Sequence, residues 1–198
     1  MRKLKILVDM DSIACDTLPY WLDRIAQNTG VRAKVDDIKL WAMDKCPPLD
    51  KVDPRLIFGV LQEPGFIHGI PPMPGVAKVL KQLMDDGHQV MLCTARHGPV
   101  SMPETITWMR QHLPFMSPEK QTAFIYDKEW VEADVIIDDK AETLVKYLNK
   151  HQKAIALTIT YPYNADLAHD RLGRVDYGPD AWDRLGFVVN VAANVEES

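Results

Sequence analysis

Short, continuous apolar runs alternate with helical patterns along most of this sequence, and the alternation restricts the possible folds more than any other feature. Such runs are typical of strands that are buried on both faces. Five of them read "LKILV" (residues 4–8), "HQVMLCT", "TAFIY", "DVIID" and "AIALTIT". Between the runs, apolar residues recur at helical spacing, as at Val76, Val79 and Leu83, with Gly87 as a stop. We therefore predict an α/β protein with a mostly parallel sheet that carries helices on both faces.

The stretch from Val31 to Met73 interrupts this alternation. It is rich in proline, and its helical candidates are short, as where Asp53 precedes Pro54 and the segment "RLIFGVLQ". We interpret the stretch as an insertion. From Tyr161 onward we expect mostly loops, with one short helix near residues 180–185 and a frayed end over "NVEES".

The composition excludes several classes of function. The chain has 198 residues, which suits one domain with a modest insertion, and its formal charge of −5 comes without a basic block, so we expect no binding to a nucleic-acid polymer. No apolar run approaches the roughly 18 residues of a membrane helix. Cys15, Cys46 and Cys93 are an odd number without paired spacing, which predicts reduced thiols in a cytoplasmic protein. The oligomeric state stays open, a homodimer included.

Reactive side chains gather where the predicted strands end. In open parallel sheets, ligands bind outside the carboxyl ends of the strands, so these ends are the places to compare. They hold Asp9 and Asp11 after the first strand, Thr94 and Arg96 at the second, Lys128 after the third, and Asp138 and Asp139 after the fourth. Separate segments thus bring carboxylates, a hydroxyl and cations to one edge of the sheet.

This set of side chains suits phosphoryl transfer. Asp9 and Asp138 together can hold a hard divalent cation such as magnesium through oxygen. Thr94 can donate to a phosphoryl oxygen, and Lys128 can neutralise charge on the transferring group. If the strand ends between Asp9 and Asp11, Asp9 can attack phosphorus while Asp11 serves as general acid and then as base for water.

Other residues have a structural interpretation that competes with a functional one. For Asp16 we expect a cap on the helix that starts near Thr17. Arg96 either clamps a phosphate or pairs with a surface acid, and the sequence does not decide between the two. Trp41 and His68 are expected to pack within the insertion rather than line a pocket. We interpret "YPYN" (residues 161–164) as a turn after the last strand.

The motifs "DMDSIACD", "LCTAR" and "YDKEWVEADVIIDDK", in this order, resemble those of the haloacid dehalogenase (HAD) superfamily of phosphohydrolases. With "PGFIHGIPPMPGVAKVLKQL" and "YPYN", the resemblance narrows to the 5'(3')-deoxyribonucleotidase family, over residues 5–164. It implies a Rossmann-like core domain of residues 1–15 and 74–198. A small helical cap of residues 16–73, inserted after the first strand, would cover the site and select the substrate.

The resemblance also implies roles for the motif residues. Asp9 would be the nucleophile, Asp11 the acid/base, and Lys128 the group that stabilises Asp9 and the phosphoryl group. Phosphate contacts would come from Thr94, Ala95, Arg96 and Lys128. The implied cofactor is Mg²⁺, with ligands from Asp9, the Asp11 carbonyl, Asp138 and Asp139, the last as a ligand or a supporting partner.

The sequence departs from the family pattern at three positions. Ser12 replaces a usual glycine, Thr17 replaces an aromatic residue that helps to hold the base, and Ala95 stands where serine is frequent. We expect a magnesium-dependent phosphomonoesterase that hydrolyses nucleoside monophosphates through an aspartyl-phosphate. Two alternatives stay open: a HAD phosphatase for a sugar phosphate or another small phosphometabolite, and a non-catalytic aspartyl-phosphate or metal-binding regulator.

Overall fold

The computed structural model describes residues 2–194, and its centre is a six-stranded sheet in the order β3-β2-β1-β4-β5-β6. All neighbouring strands in it run parallel. The strands are β1 (Lys5–Val8), β2 (Gln89–Thr94), β3 (Thr122–Phe124), β4 (Val135–Ile137), β5 (Ile155–Thr160) and β6 (Leu172–Asp176). The predicted parallel α/β sheet is confirmed, and β1 to β5 fall on the five apolar runs.

The helices follow the helical spacing of the sequence. They are α1 (Thr17–Thr29), α2 (Pro54–Phe58), α3 (Phe66–Gly69), α4 (Val76–Asp85), α5 (Ser101–His112), α6 (Pro118–Gln121), α7 (Ala141–Lys150) and α8 (Ala181–Asn194). Gly30 ends α1 in the left-handed conformation, with φ of 76°. Over residues 2–194, no helix is long and apolar enough to cross a membrane.

Helices cover both faces of the sheet, as the continuous apolar strands predict. Side chains alternate along β1, so Ile6 and Val8 point to one face and Leu7 to the other. Leu7 belongs to a buried cluster with Leu144 and Leu148 of α7. Ile6 and Val8 belong to a larger cluster that includes residues of α4, α5 and α8. Both sides of the central strand are therefore closed to water.

The segment between β1 and α4 holds α1 to α3 and four short 3-10 helices (Val35–Asp37, Met43–Lys45, Leu49–Lys51 and Gly59–Gln62). The two ends of this segment lie next to each other. The Asp16 amide donates to the Pro71 carbonyl over 2.8 Å, and the Met73 amide donates to the Ala14 carbonyl over 2.9 Å. Its buried residues, Phe66 among them, belong to the same cluster as Ile6 and Val8.

The region after β5 differs from the prediction of loops and one short helix. It contains a sixth strand, β6, and a helix of 14 residues, α8. β6 lies at the edge of the sheet, where only Val175 is buried and Gly173 lacks a side chain, so no apolar run marks it. Of the segment expected to fray, Asn194 ends α8 and residues 195–198 lie outside the described residues.

Candidate active site

The carboxyl ends of the central strands lie side by side, because Val8 pairs in register with Leu92 of β2 and Ile137 of β4. Asp9 and Asp138 follow these strands directly, and a 3-10 helix after β3 (Lys128–Trp130) adds the lysine. Together they form what we call the acidic cavity, of about 220 Å³, lined by Asp9, Asp11, Trp41, Thr94, Ala95, Tyr126, Lys128, Asp138, Lys140 and Thr143.

Lys128 is buried between two carboxylates. Its Nζ lies 2.6 Å from Oδ1 of Asp9 and 2.5 Å from Oδ2 of Asp138. Burial lowers the pKa of Lys128, but the two carboxylates outweigh burial and raise it, so the amine is charged. Burial raises the pKa of Asp9 against the opposing charge of Lys128. The lysine is therefore a charged member of the acidic cavity.

Asp11 has a different cation. Arg96 holds it with two bonds, from Nε to Oδ2 over 2.9 Å and from Nη2 to Oδ1 over 2.6 Å. Thr17 adds a third bond, from its hydroxyl to Oδ1 over 2.8 Å. Burial favours the protonated form of Asp11, but the charge and hydrogen bonds of Arg96 and Thr17 lower its pKa. Asp11 is thus held as an ionised carboxylate.

Of the two interpretations of Arg96, the structure shows pairing with an acid. This acid is Asp11 of the acidic cavity and not a surface residue. Its guanidinium is almost completely buried, with 5% of the side chain exposed, and Nη1 donates to the hydroxyl of Thr105 over 3.3 Å. Arg96 is not among the residues that line the acidic cavity, and its contact with phosphate stays a prediction. Thr94, also buried, accepts the Arg96 amide at Oγ1 over 3.2 Å.

Two of the departures from the family pattern have a structural role here. Ser12 adopts a left-handed conformation with φ of 58°, which a glycine would reach without strain. Its carbonyl accepts a hydrogen bond from Tyr161 Oη over 3.0 Å. Thr17 stands where an aromatic residue is usual and holds the Asp11 carboxylate directly. Both residues support the loop that carries Asp9 and Asp11.

Three carboxylates can hold a metal ion together. Asp9, Asp138 and Asp139 each offer one oxygen, and these oxygens all lie within 4.8 Å of one another. Asp139 Oδ1 is buried and has no hydrogen-bond partner among the described residues. Burial, and then the charges of Asp9 and Asp138, raise the pKa of Asp139 well above its usual range. An all-oxygen set with excess negative charge and one unpartnered oxygen fits a hard divalent cation.

The segment "YPYN" is more than a turn. Tyr163 Oη donates to Asp139 Oδ2 over 2.5 Å, and Asn164 Nδ2 donates to the Asp139 carbonyl over 2.9 Å. With the bond from Tyr161 to Ser12, the segment contacts the loops after β1 and β4. The interpretation of "YPYN" as a turn does not reveal these contacts, although the segment directly follows the strand next to β4, at the same edge of the sheet.

A second cavity, of about 290 Å³, lies between the insertion and the loops after β1 and β4. We call it the apolar cavity because most of its lining side chains are aliphatic or aromatic. Trp21 is fixed there by a bond from Nε1 to the Ile57 carbonyl over 2.8 Å. The lining consists of Asp11, Ser12, Thr17, Leu18, Trp21, Ile38, Trp41, Met43, Phe58, Leu61, Asp139 and Tyr163.

The residues with two interpretations have different outcomes. Trp41 lines both cavities and is 52% exposed, so the expectation that it packs within the insertion is wrong. His68 is exposed and lines neither of these cavities. Asp16 precedes α1 as predicted, but its side chain makes no capping bond and accepts from Tyr177 Oη over 3.1 Å. Cys15, Cys46 and Cys93 are buried, unpaired thiols.

Comparison with known proteins yields a consistent group of relatives. The chain is 25% identical over 164 residues to a putative 5'(3')-deoxyribonucleotidase of Staphylococcus epidermidis, which covers 83% of this chain and 88% of the relative. It is 26% identical over 148 residues to a 5'(3')-deoxyribonucleotidase of Bacillus subtilis, which covers 74% of this chain and 81% of the relative.

Solved structures support the fold. A HAD family hydrolase from Deinococcus radiodurans matches with a TM-score of 0.55 and 14% identity, over 96% of both chains. A hydrolase from Pseudomonas syringae matches with a TM-score of 0.51 and 14% identity, over 96% of this chain and 99% of the other. The architecture is therefore that of the HAD hydrolases. Because the sequence model of one family, "5' nucleotidase, deoxy (Pyrimidine), cytosolic type C protein", matches residues 2–188, the chain belongs to that family.

Proposed function

We propose that the protein is a magnesium-dependent phosphomonoesterase that hydrolyses deoxyribonucleoside monophosphates through an aspartyl-phosphate on Asp9. One observation carries the proposal: Asp11 and Trp41 line both the acidic cavity and the apolar cavity. A phosphate in the first cavity can therefore belong to a molecule whose apolar, aromatic part lies in the second. The names of the relatives from Staphylococcus epidermidis and Bacillus subtilis support the same substrate class.

Asp9 is the nucleophile in this proposal. It directly follows the central strand, and its amide donates to the Ile137 carbonyl over 2.8 Å, so the backbone holds its position. Attack by a carboxylate oxygen on phosphorus forms the Asp9–phosphate bond and breaks the bond between phosphorus and the leaving oxygen. Lys128, which lies 2.6 Å from Asp9 Oδ1, stabilises the negative charge on the transferring group.

Asp11 moves the protons. When substrate binds, Asp11 takes up a proton from solvent. In the first step it gives this proton to the leaving oxygen of the nucleoside, and in the second it takes one from the water that hydrolyses the Asp9 phosphate. The contacts from Arg96 and Thr17 fix the carboxylate in place. They also favour the ionised form, which is the form that the second step needs.

Phosphate binding falls to the ends of β2 and β3. Thr94 lines the acidic cavity with its hydroxyl side chain, and Ala95 is exposed beside it. Lys128 lines the same cavity and supplies positive charge. We propose these three residues as the phosphate site and treat Arg96 as the residue that positions Asp11.

The metal site is proposed at Asp9, Asp138 and Asp139, with the Asp11 carbonyl as a further ligand. A bound magnesium ion would offset the repulsion among the carboxylates and the charge of the phosphoryl oxygens. The Asp138 side chain is already oriented by the Lys140 amide, which donates to Oδ1 over 2.8 Å. Lys128 contacts the other oxygen of Asp138.

The insertion is proposed as the cap that selects the substrate, with boundaries at residues 16–73. Its hydrogen bonds at Asp16 and Met73 place both ends of the segment together. Trp21, Phe58 and other apolar side chains of the insertion line the apolar cavity. These rings suit the stacking of a nucleobase, whereas a sugar phosphate would leave them in contact with hydroxyl groups. We also propose a cytoplasmic location for the protein, as expected from its unpaired cysteines.

A phosphate-release screen with Mg²⁺ tests the function. The substrates are the deoxyribonucleoside 5'- and 3'-monophosphates and a panel of sugar phosphates, each with and without a chelator. We expect release from nucleotides that stops with chelation. Release from sugar phosphates alone would contradict the substrate class. A long-lived phosphorylated protein with no turnover would favour a regulator instead.

A further inference from the structure

Tyr163 contacts Asp139, the metal-site carboxylate that lines the apolar cavity. Its hydroxyl donates to Asp139 Oδ2 over 2.5 Å. The other oxygen, Oδ1, is buried and has no partner among residues 2–194. Asp9 and Asp138 are the other members of this metal-binding group. The tyrosine therefore occupies one oxygen of Asp139 and leaves the second available as a ligand.

Tyr163 is itself held in place by its neighbours. Its ring stacks on Tyr161, with centroids 5.3 Å apart and planes at 3°, and forms a T-shaped pair with Trp41, with centroids 5.5 Å apart. The next residue, Asn164, is buried and bonds the carbonyls of Asp139 and Ile159 over 2.9 and 3.1 Å. Both the backbone and the side chain of Asp139 are thus fixed from the same segment.

Groups that hydrogen-bond to a metal ligand orient it and tune the affinity of the site. We infer that Tyr163 is a positioning residue that presents Oδ1 of Asp139 to the metal and so sets metal affinity. This inference rests on the metal site of the proposed function. Because the Tyr163 ring also lines the apolar cavity, the residue that orients the metal ligand belongs to the substrate pocket as well.

The test is the affinity of the purified full chain for Mg²⁺, measured by calorimetric titration of MgCl₂ into protein freed of metal by a chelator. Tyr163→Phe removes the hydroxyl and keeps the ring. We expect its dissociation constant to rise about 10- to 100-fold, as for other groups that support metal ligands. The rise in melting temperature on adding Mg²⁺ should shrink in parallel.

Tyr177→Phe is the matched control. Tyr177 also packs on Tyr161 with centroids 5.3 Å apart, and its hydroxyl also bonds a carboxylate, that of Asp16. Asp16 lies outside the group of metal-binding carboxylates. We expect Mg²⁺ affinity in this variant to equal that of the wild type, so a loss specific to Tyr163→Phe is not a general effect of removing a tyrosine hydroxyl that bonds a carboxylate.

A double mutant separates positioning from a structural effect. In an Asp139→Asn background, Tyr163→Phe should cause no further loss of affinity, because the oriented carboxylate is gone. If the wild type binds Mg²⁺ and Tyr163→Phe binds it equally well, the inference is wrong and the metal site stands. If the wild type binds no Mg²⁺, the metal site is wrong and the inference falls with it. The inference is also contradicted if Tyr163→Phe lowers Mg²⁺ affinity by the same factor in the wild type and in the Asp139→Asn background.

Discussion

Asp9 and Asp11 are two residues apart, yet their surroundings differ in almost every respect. Asp9 shares the ammonium of Lys128 with Asp138. Asp11 accepts two bonds from the guanidinium of Arg96 and one from the hydroxyl of Thr17. The strand ends at Val8, and the left-handed Ser12 turns the chain, so the two carboxylates face different partners.

The difference shows how two like charges can have different tasks. An ammonium is a compact charge that can lie between two carboxylates, whereas a guanidinium grips one carboxylate with two parallel bonds. Burial raises the pKa of Asp9, and Arg96 lowers that of Asp11. The first carboxylate is arranged to meet a metal and phosphorus, and the second is arranged to keep one orientation while it exchanges protons.

The largest expected effect is that of Asp9→Asn. An amide cannot form the phosphoryl bond, so we expect the turnover number to fall by about 10⁴-fold or more, as for other covalent nucleophiles. Steady-state assays on a good nucleotide substrate measure this. Circular dichroism should show an unchanged fold, and activity close to that of the wild type would remove Asp9 from the mechanism.

Asp11→Asn should have a smaller effect that depends on the leaving group. Loss of a general acid and base costs roughly 10²–10⁴-fold in rate. With 4-nitrophenyl phosphate, whose leaving oxygen needs no proton, the loss of rate in the first step should be smaller. The rate of the first step with this substrate is measured from the burst of 4-nitrophenolate that precedes steady-state turnover. Asp9→Asn should be equally inactive on both substrates. If Asp11→Asn slows the first step equally with the nucleotide and with 4-nitrophenyl phosphate, Asp11 is not the general acid.

Arg96→Gln tests the partner of Asp11. It leaves the carboxylate without its cation, and we expect the free energy of unfolding to fall by about 2–3 kcal/mol, less than for a fully buried pair because 35% of the Asp11 side chain is exposed. Urea denaturation measures this loss. The control is Arg110→Gln, which breaks an exposed pair with Glu119 and should cost less than about 1 kcal/mol. If both variants lose the same free energy of unfolding, the buried pair of Arg96 and Asp11 stabilises the protein no more than an exposed pair does.

Thr17→Val should give the smallest effect. It removes one of the three hydrogen bonds to Asp11 and keeps the shape of the side chain. A bond of this kind contributes about 1 kcal/mol, so we expect about a fivefold decrease in kcat. Thr17→Ser retains the hydroxyl and should restore most of the activity. A valine variant as active as the wild type would mean that Arg96 alone positions Asp11.

The sequence was sufficient to predict the group of residues at the edge of the sheet. Asp9, Thr94 and Asp138 follow strands with clear apolar runs, and the ends of parallel strands necessarily share an edge. Lys128 was predicted from its place after the run "TAFIY", and its distance of ten residues to Asp138 fits the family motif that the sequence resembles. In each case a backbone element of recognisable sequence carries the residue to its place.

The remaining features depend on side-chain directions and on segments without a sequence signal. Arg96 lies beyond β2, and only the folded loop decides that it reaches Asp11 rather than solvent. The strand β6 is an edge strand with one buried residue, so no apolar run reveals it. Tyr163 lies in a motif that also suits a turn, and its contact with Asp139 depends on the loop after β5.

The division of labour between Asp9 and Asp11 is tested most directly by trapping the intermediate. Asp11→Asn is mixed with 4-nitrophenyl phosphate, whose leaving oxygen needs no proton, and Mg²⁺, quenched in acid within one turnover, digested and analysed by mass spectrometry. The account predicts one phosphoryl group on Asp9, accumulating because the base for the second step is missing. Turnover in this variant without any phosphorylated Asp9, or with the phosphoryl group on another residue, would contradict it.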